Sequence, residues 1–258
     1  MASHAQENPR FTPLANLHRR GAKKLLVDDV YPQIFDAILE QRIAPGSRFT
    51  ENSLGQAFGI SRSIVRQVLA RLSHQQVVIL RPNHRPRVAA PDLEQTRQIL
   101  HARRLAEIAL VRLACQQPRK RLQPLHQLVA REREAIERGW HGPAIRLSGE
   151  FHLQLAQLAG NAPLAHFLGS LVPLTSLAIA QLAGQALQHC AWQEHAAIVD
   201  ALQEANATLA EALMQQHLEH LQLLLLRGLE EQAAQRGVSR PASARSPGES
   251  SLPAGHRR

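Results

Sequence analysis

Residues 51–73, ENSLGQAFGISRSIVRQVLARLS, constrain the fold of this chain more tightly than any other stretch. Leu54, Ala57 and Phe58 form one apolar face at helical spacing, and Ile64, Val65, Val68, Leu69 and Leu72 form a second. Between them Gly59 predicts a tight turn, because a residue without Cβ takes positive φ at little cost. Ser61 stands where an N-cap belongs, its hydroxyl able to accept an unpaired N–H of the following helix. Arg62, Ser63, Arg66, Gln67 and Arg71 are left on the polar side. A short helix, a glycine turn and a capped helix with arginines in its first turns is the sequence form of a helix-turn-helix. An ordinary pair of packed helices with a solvated basic face shares the pattern, so the flanking sequence decides.

The flanks favour DNA. Upstream, Val30, Ile34, Ala37 and Ile38 predict one helix over 27–41, broken by Ala44-Pro45-Gly46, with Thr50 as the N-cap of the next. Downstream, VVILRPNHRPRVAAP (77–91) places two β-branched runs around a Pro-rich basic turn, which predicts a two-stranded wing carrying Arg81, Arg85 and Arg87. The charge follows the same division. Residues 1–91 hold 13 Lys/Arg against 6 Asp/Glu, whereas residues 92–231 hold 12 against 14. A basic surplus beside a helix-turn-helix is what phosphate neutralisation requires.

Four regions are expected: a flexible basic arm over 1–26, a winged helix-turn-helix over 27–91, an all-α effector-binding and dimerisation domain over 92–235, and a disordered tail over 236–258. Helices are expected at 92–116, 120–139, 143–160, 163–188, 190–205 and 206–233, separated by proline, glycine and asparagine breaks. The fold class is mainly α. Cys115 and Cys190 provide no disulfide framework, and the polar N-terminus lacks the apolar core of a signal peptide, so a cytoplasmic setting is expected. The apolar stretch Leu164–Leu187 carries Ser170, Pro173, Thr175, Ser176, Gln181 and Gln185, and is read as a buried helix pair rather than a membrane span. Trp140 and Trp192 are expected as core or domain-contact residues.

Among the 14 histidines, His152, His195 and His217 stand beside apolar residues at helical spacing and can face one interior. Neutral imidazoles from three helices form a first shell for Zn²⁺, Ni²⁺ or a similar divalent ion. Surface or hydrogen-bonded core histidines give the same spacing.

The stretch LEQRIAPGSRFTENSLGQAFGISRSIVRQVLARLSHQQVV (39–78) resembles the N-terminal pattern of the GntR family of bacterial transcription regulators almost end to end. The resemblance implies that Arg62, Arg66 and the neighbouring Ser63 and Gln67 meet DNA, with the wing assisting; Arg48 and Arg85 complete the expected DNA-facing set. Where the family's wing tip usually carries glycine, this chain reads Pro82-Asn83-His84-Arg85-Pro86. The body is similar to the FCD ligand-binding domain of the FadR-like branch, on FH (151–152), EHAAI (194–198) and MQQHL (214–218). That domain carries an Asp four residues before the first histidine, a position occupied here by Ser148. The resemblance implies a site of Ser148, His152, His195 and His217, with a divalent metal (Zn or Ni) on the histidines or, alternatively, an anion held without metal. In HARRLAEIAL, Arg103 (or Arg104) either reaches an effector carboxylate or pairs with Glu107 four residues on. His220 is expected to face outward.

A homodimeric repressor on a double-stranded DNA operator is implied, modulated by a small organic acid, with no membrane partner. A metal-dependent enzyme built on the three histidines is the rival reading, and an architectural DNA-binding protein with a sealed helical body is the third.

Overall fold

A computed structural model of the protein describes residues 26–182 and 191–238. Most of the expected arm and tail, Cys190 and the end of the 163–188 helix lie outside them.

The N-terminal part is three helices and a hairpin. Helix α1 (Val27–Leu39) is followed by α2 (Glu51–Phe58) and α3 (Arg62–His74). The local signals act as read. Thr50 Oγ1 accepts the Ser53 N–H at 3.0 Å, Gly59 ends α2 in the left-handed region (φ 63°), and Ser61 Oγ accepts the Ile64 N–H. Strands β1 (Val78–Ile79) and β2 (Arg87–Val88) pair antiparallel, Val78 opposite Val88. Asn83 takes positive φ (59°) at the wing tip, the conformation for which glycine is usual and asparagine is tolerated. The wing is broader than the expected two strands. Ser47–Phe49 lies along β2 through Val88 N–Ser47 O and Phe49 N–Pro86 O bonds, and Arg48 forms a bridge with Arg87.

The body begins at α4 (Leu93–Ala114), whose N-cap Asp92 accepts the Gln95 N–H at 2.8 Å. A 3-10 turn (Arg119–Leu122) leads into α5 (Gln123–Glu137), then α6 (His141–Leu158), α7 (Ala162–Gln181), α8 (Ala191–Gln203) and α9 (Ala207–Val238). The expected helix at 120–139 therefore starts as a 3-10 turn, and α9 runs three residues past the expected boundary at 235. The apolar stretch from Leu164 is one helix through its described length rather than a pair. Pro173 is accommodated within α7, and no break intervenes before Gln181. By length and composition α7 could cross a membrane (mean hydropathy 1.5), yet it packs on α4 and α6 and gives Leu168, Val172 and Leu177 to the interior. Trp140 is half exposed beneath Arg138 rather than in the core, whereas Trp192 packs against the core.

The two parts share a core. Ile145, Leu174, Leu177 and Ala180 pack with Ile34, Phe35 and Ile38 of α1. Arg146 on α6 grips Asp36 of α1 through Nε–Oδ1 (2.7 Å) and Nη2–Oδ2 (3.3 Å), while its Nη1 donates to Glu150 (2.7 Å). Burial raises the Asp36 pKa, and the Arg146 contacts oppose it. Gly142 lets α6 approach this closely: a Cβ there would stand 2.9 Å from the Asp36 carbonyl.

Candidate functional sites: an exposed basic helix and a histidine-lined cavity

Helix α3 buries Val65, Val68, Leu69 and Leu72 and turns Arg62, Ser63, Arg66 and Gln67 outward, where these four line one surface hollow. All four belong to the expected DNA-facing set. The Ser63 hydroxyl accepts from Gln67 Nε2 (3.3 Å), and Arg66 Nε donates to Glu51 (3.0 Å). Arg48 and Arg85 are exposed on the wing side. Arg71 is drawn away from this group. Its guanidinium lies 3.9 Å over the Tyr31 ring and bonds Asp28, tying α3 to α1.

The second site is internal. His152 on α6, His195 on α8 and His217 on α9 are all buried, and one ring nitrogen from each lies within 4.8 Å of the others. The sequence therefore places the trio correctly. What it does not announce is that each ring is held by its own glutamate. His152 Nδ1 donates to Glu107, His195 Nδ1 to Glu132 (2.8 Å) and His217 Nδ1 to Glu194 (2.7 Å). Donation from Nδ1 leaves the Nε2 lone pair free on every ring. Carboxylate behind histidine is the arrangement that orients metal-binding imidazoles and raises their basicity. Phe151 stacks on His195 with ring centres 4.0 Å apart and fixes its plane.

The outcome is a cluster of acceptors without donors. His152 Nε2 and His217 Nε2 face each other at 3.3 Å, and His195 Nε2 has no hydrogen-bond partner. Two lone pairs at that distance repel unless a proton or a metal cation lies between them. Two nitrogens bound tetrahedrally at about 2.0–2.1 Å from one zinc ion stand about 3.3 Å apart. The residues present fit a divalent metal.

Of its two expected roles, Arg103 takes the pairing with Glu107 and keeps one further donor. Its Nε donates to Glu107 (2.7 Å), while Nη2 is buried, unpartnered and on the cavity wall. Arg104 is the more exposed of the two and lies 3.7 Å from Glu219. Burial would raise the Glu107 pKa, but Arg103 and His152 outweigh it and hold the carboxyl well below the usual range. Burial pushes His152 well below its usual value, with Glu107 opposing and Arg103 adding to the shift, so the ring is neutral at pH 7. Burial likewise lowers His217, against its bond to Glu194. Glu194 falls to about 2, because the bonds from His217 and His220 overcome its desolvation. His220 is half exposed, as expected, although it also reaches the cavity rim.

These groups form one end of a cavity of about 240 Å³. Ser148 lines it one helical turn before His152; Glu150 faces the other way, onto Arg146. A sealed body is thus ruled out. Gly149, Val172 and Ser176 line this cavity and also the small crevice between α1, α3 and the body, so a single layer of residues separates the two.

Only the burial of Glu132, and not its partner, left a trace in the sequence. Leu125, Leu128, Val129, Glu132 and Ala135 form the buried stripe of α5, and a carboxylate at its centre requires a buried partner.

Known proteins agree with this architecture. Residues 26–88 match the family described as bacterial regulatory proteins, gntR family, and residues 98–220 match the FCD domain. The Uxu operon regulator of Haemophilus influenzae is 28% identical over 235 residues, spanning 81% of this chain and 87% of that protein. The transcriptional repressor RspR of Escherichia coli is 24% identical over 185 residues, 69% of this chain and 79% of the relative. Among solved structures, E. coli McbR/YncC superposes with a TM-score of 0.63 at 18% identity, over 80% of this chain and 98% of that one, which shows the shared fold. The matched families and relatives are transcriptional regulators, so the histidine cluster does not make this protein an enzyme. The chain belongs to the GntR family of DNA-binding transcriptional regulators, with an FCD domain as its helical body.

Proposed function

We propose that the protein is a cytoplasmic, homodimeric repressor whose operator affinity changes when a small carboxylate enters the histidine-lined cavity. Two copies of α3 would occupy successive half-sites, Arg62 and Arg66 meeting bases or adjacent phosphates, Ser63 and Gln67 adding polar readout, and Arg48 and Arg85 resting on the backbone. Leu105 on α4 and Leu223 on α9, 64% and 71% exposed on two helices that pack together, support a dimer interface on that face.

The observation that carries the cavity half is the set of three imidazoles, each backed by a glutamate at Nδ1 and each turning Nε2 toward the other two. His152, His195 and His217 would hold a divalent metal, zinc or nickel by ligand type, which when bound supplies positive charge and open positions for an anionic oxygen. Ser148, at the position where the domain usually has Asp, leaves a position for the effector's own carboxylate. Arg103 Nη2 is placed to receive a second carboxylate oxygen. The effector can act only by binding the DNA-competent arrangement more or less tightly than the other, and the thin wall at Gly149 and Ser176 is the shortest route to α1.

Elemental analysis of the purified protein, dialysed without chelator, tests this directly. About one metal per chain is expected, lost in the His195→Ala/His217→Ala variant together with effector response, while operator binding survives. A metal-free wild type would leave the Arg103 guanidinium as the anion contact, joined by the histidines only where an imidazole takes a proton. Response persisting in the double variant would move the effector elsewhere.

A further inference from the structure

The cavity is polar at one end only. Along α6, Ala144 and Ile145 precede His152 by about two turns, or roughly 10–12 Å at 1.5 Å per residue. On α9 the wall changes in the same direction, from His217 to Leu221 and Leu224, while α7 gives Val172, Thr175 and Ser176 to the middle and Ile179 beyond them. Helices α6 and α7 run antiparallel through their short Asn161 connection, with Gly149 opposite Val172 and Ser176, so Ile179 lies toward the Ile145 end. The two hydroxyls along α7 give their protons to the backbone, Thr175 to Leu171 O and Ser176 to Val172 O, and can offer a ligand only acceptors. Arg103, the imidazoles and their glutamates make one end polar, and the other offers hydrocarbon.

Resting on the reading of this cavity as the effector site, we infer that the effector is a monocarboxylate with an apolar body, not a polyhydroxylated acid. Its carboxylate lies at Arg103 and the histidines, and its hydrocarbon part runs toward Ile145, Ile179, Leu221 and Leu224. A sugar acid lying along the cavity would bring hydroxyls to the end formed by Ile145, Ile179, Leu221 and Leu224, whose side chains cannot pair them, and each buried unpaired hydroxyl weakens binding. Size follows from volume. An apolar cavity of about 150 Å³ holds benzene, so about 240 Å³ holds on the order of ten non-hydrogen atoms, the scale of octanoate or phenylacetate.

The test is calorimetric titration of the full-length protein, metal-loaded and metal-stripped in parallel, with straight-chain monocarboxylates from acetate to decanoate and with the sugar acids threonate and xylonate. Affinity should rise roughly four-fold per added methylene and stall near octanoate. The sugar acids should bind no tighter than acetate. Leu224→Asn, at a half-buried position, should flatten the rise from butanoate to octanoate. A flat series in the wild type, or a sugar acid binding more tightly than hexanoate, overturns the inference and leaves the effector site itself standing. A climbing series in protein shown by elemental analysis to lack metal upholds it and removes only the metal. No binding of any acid to either form overturns both.

Discussion

The winged helix and the helical body handle charge in opposite ways. On α3 the arginines stand in solvent, and Arg66, 69% exposed, has the partly exposed Glu51 as its partner. Inside the body Arg103 and Glu107 are 2% and 1% exposed, and every charged or imidazole group belongs to a chain of specific partners. The first arrangement keeps its charges cheap to redirect, as contact with phosphate demands, since an exposed ion pair contributes about 0–1 kcal/mol. The second makes each charge conditional on its neighbour, because a buried ion left without its partner is strongly destabilising. Exposed arginines can therefore be replaced with loss of DNA binding alone, whereas the cavity cannot lose one glutamate without disturbing the fold.

Glu107→Gln is the sharpest way to break that contrast. The amide keeps the shape but leaves the Arg103 guanidinium buried without a counter-charge, which should cost about 3–5 kcal/mol in urea denaturation. It also removes the carboxylate behind His152, and metal affinity should fall roughly 10–100-fold. A loss under about 1 kcal/mol would mean that water reaches Arg103 and that the body is not the closed charge network described.

Arg66→Ala probes the other side. Operator affinity should drop by about 1–3 kcal/mol if the guanidinium makes a bidentate base contact. The urea midpoint should move by no more than about 0.5 kcal/mol equivalent, as for other exposed positions. Unchanged operator affinity in a gel-shift titration would remove Arg66 from the reading set and leave Arg62 and the wing to explain specificity.

Gly142→Ala tests the joint between the two regions. Alanine improves helix propensity by about 1 kcal/mol, but its Cβ meets the Asp36 carbonyl at 2.9 Å, and overpacking against backbone costs about 1–3 kcal/mol. A net loss of about 0–2 kcal/mol is expected. The more informative readout is the effector dependence of operator affinity, which should shrink if α1 must rest on α6 to receive the signal. Full retention would place the coupling elsewhere than the Asp36–Arg146 contact.

The sequence showed some of this plainly and hid the rest for a physical reason. Thr50, Gly59 and Ser61 were legible because caps and turns are local, decided by residues within three positions of one another. The three histidines were legible through helical periodicity and a family pattern. Their glutamates were not, since His195 meets Glu132 across 63 residues and His152 meets Glu107 across 45. Periodicity says which face of a helix is buried, and only the packing of helices says what it is buried against. The same limit hid the Asp36–Arg146 grip, 110 residues apart, and the strand-like pairing of Arg48 with Arg87.

Glu51→Ala carries the smallest expected effect and the most particular sign. Glu51 opens α2, where a carboxylate gains about 0.3–1 kcal/mol from the helix dipole, and it pairs with Arg66 in solvent for about 0–1 kcal/mol more. Removing it should lower stability by at most about 2 kcal/mol. It should nonetheless tighten operator binding by a few fold, because Arg66 is released and a negative charge leaves the surface that meets phosphate. Arg66→Ala and Glu51→Ala then move DNA affinity in opposite directions, although both delete the same ion pair. If both weakened it equally, the pair would be holding Arg66 in its reading geometry, and the exposed helix would share with the buried cavity the dependence of each charge on its partner.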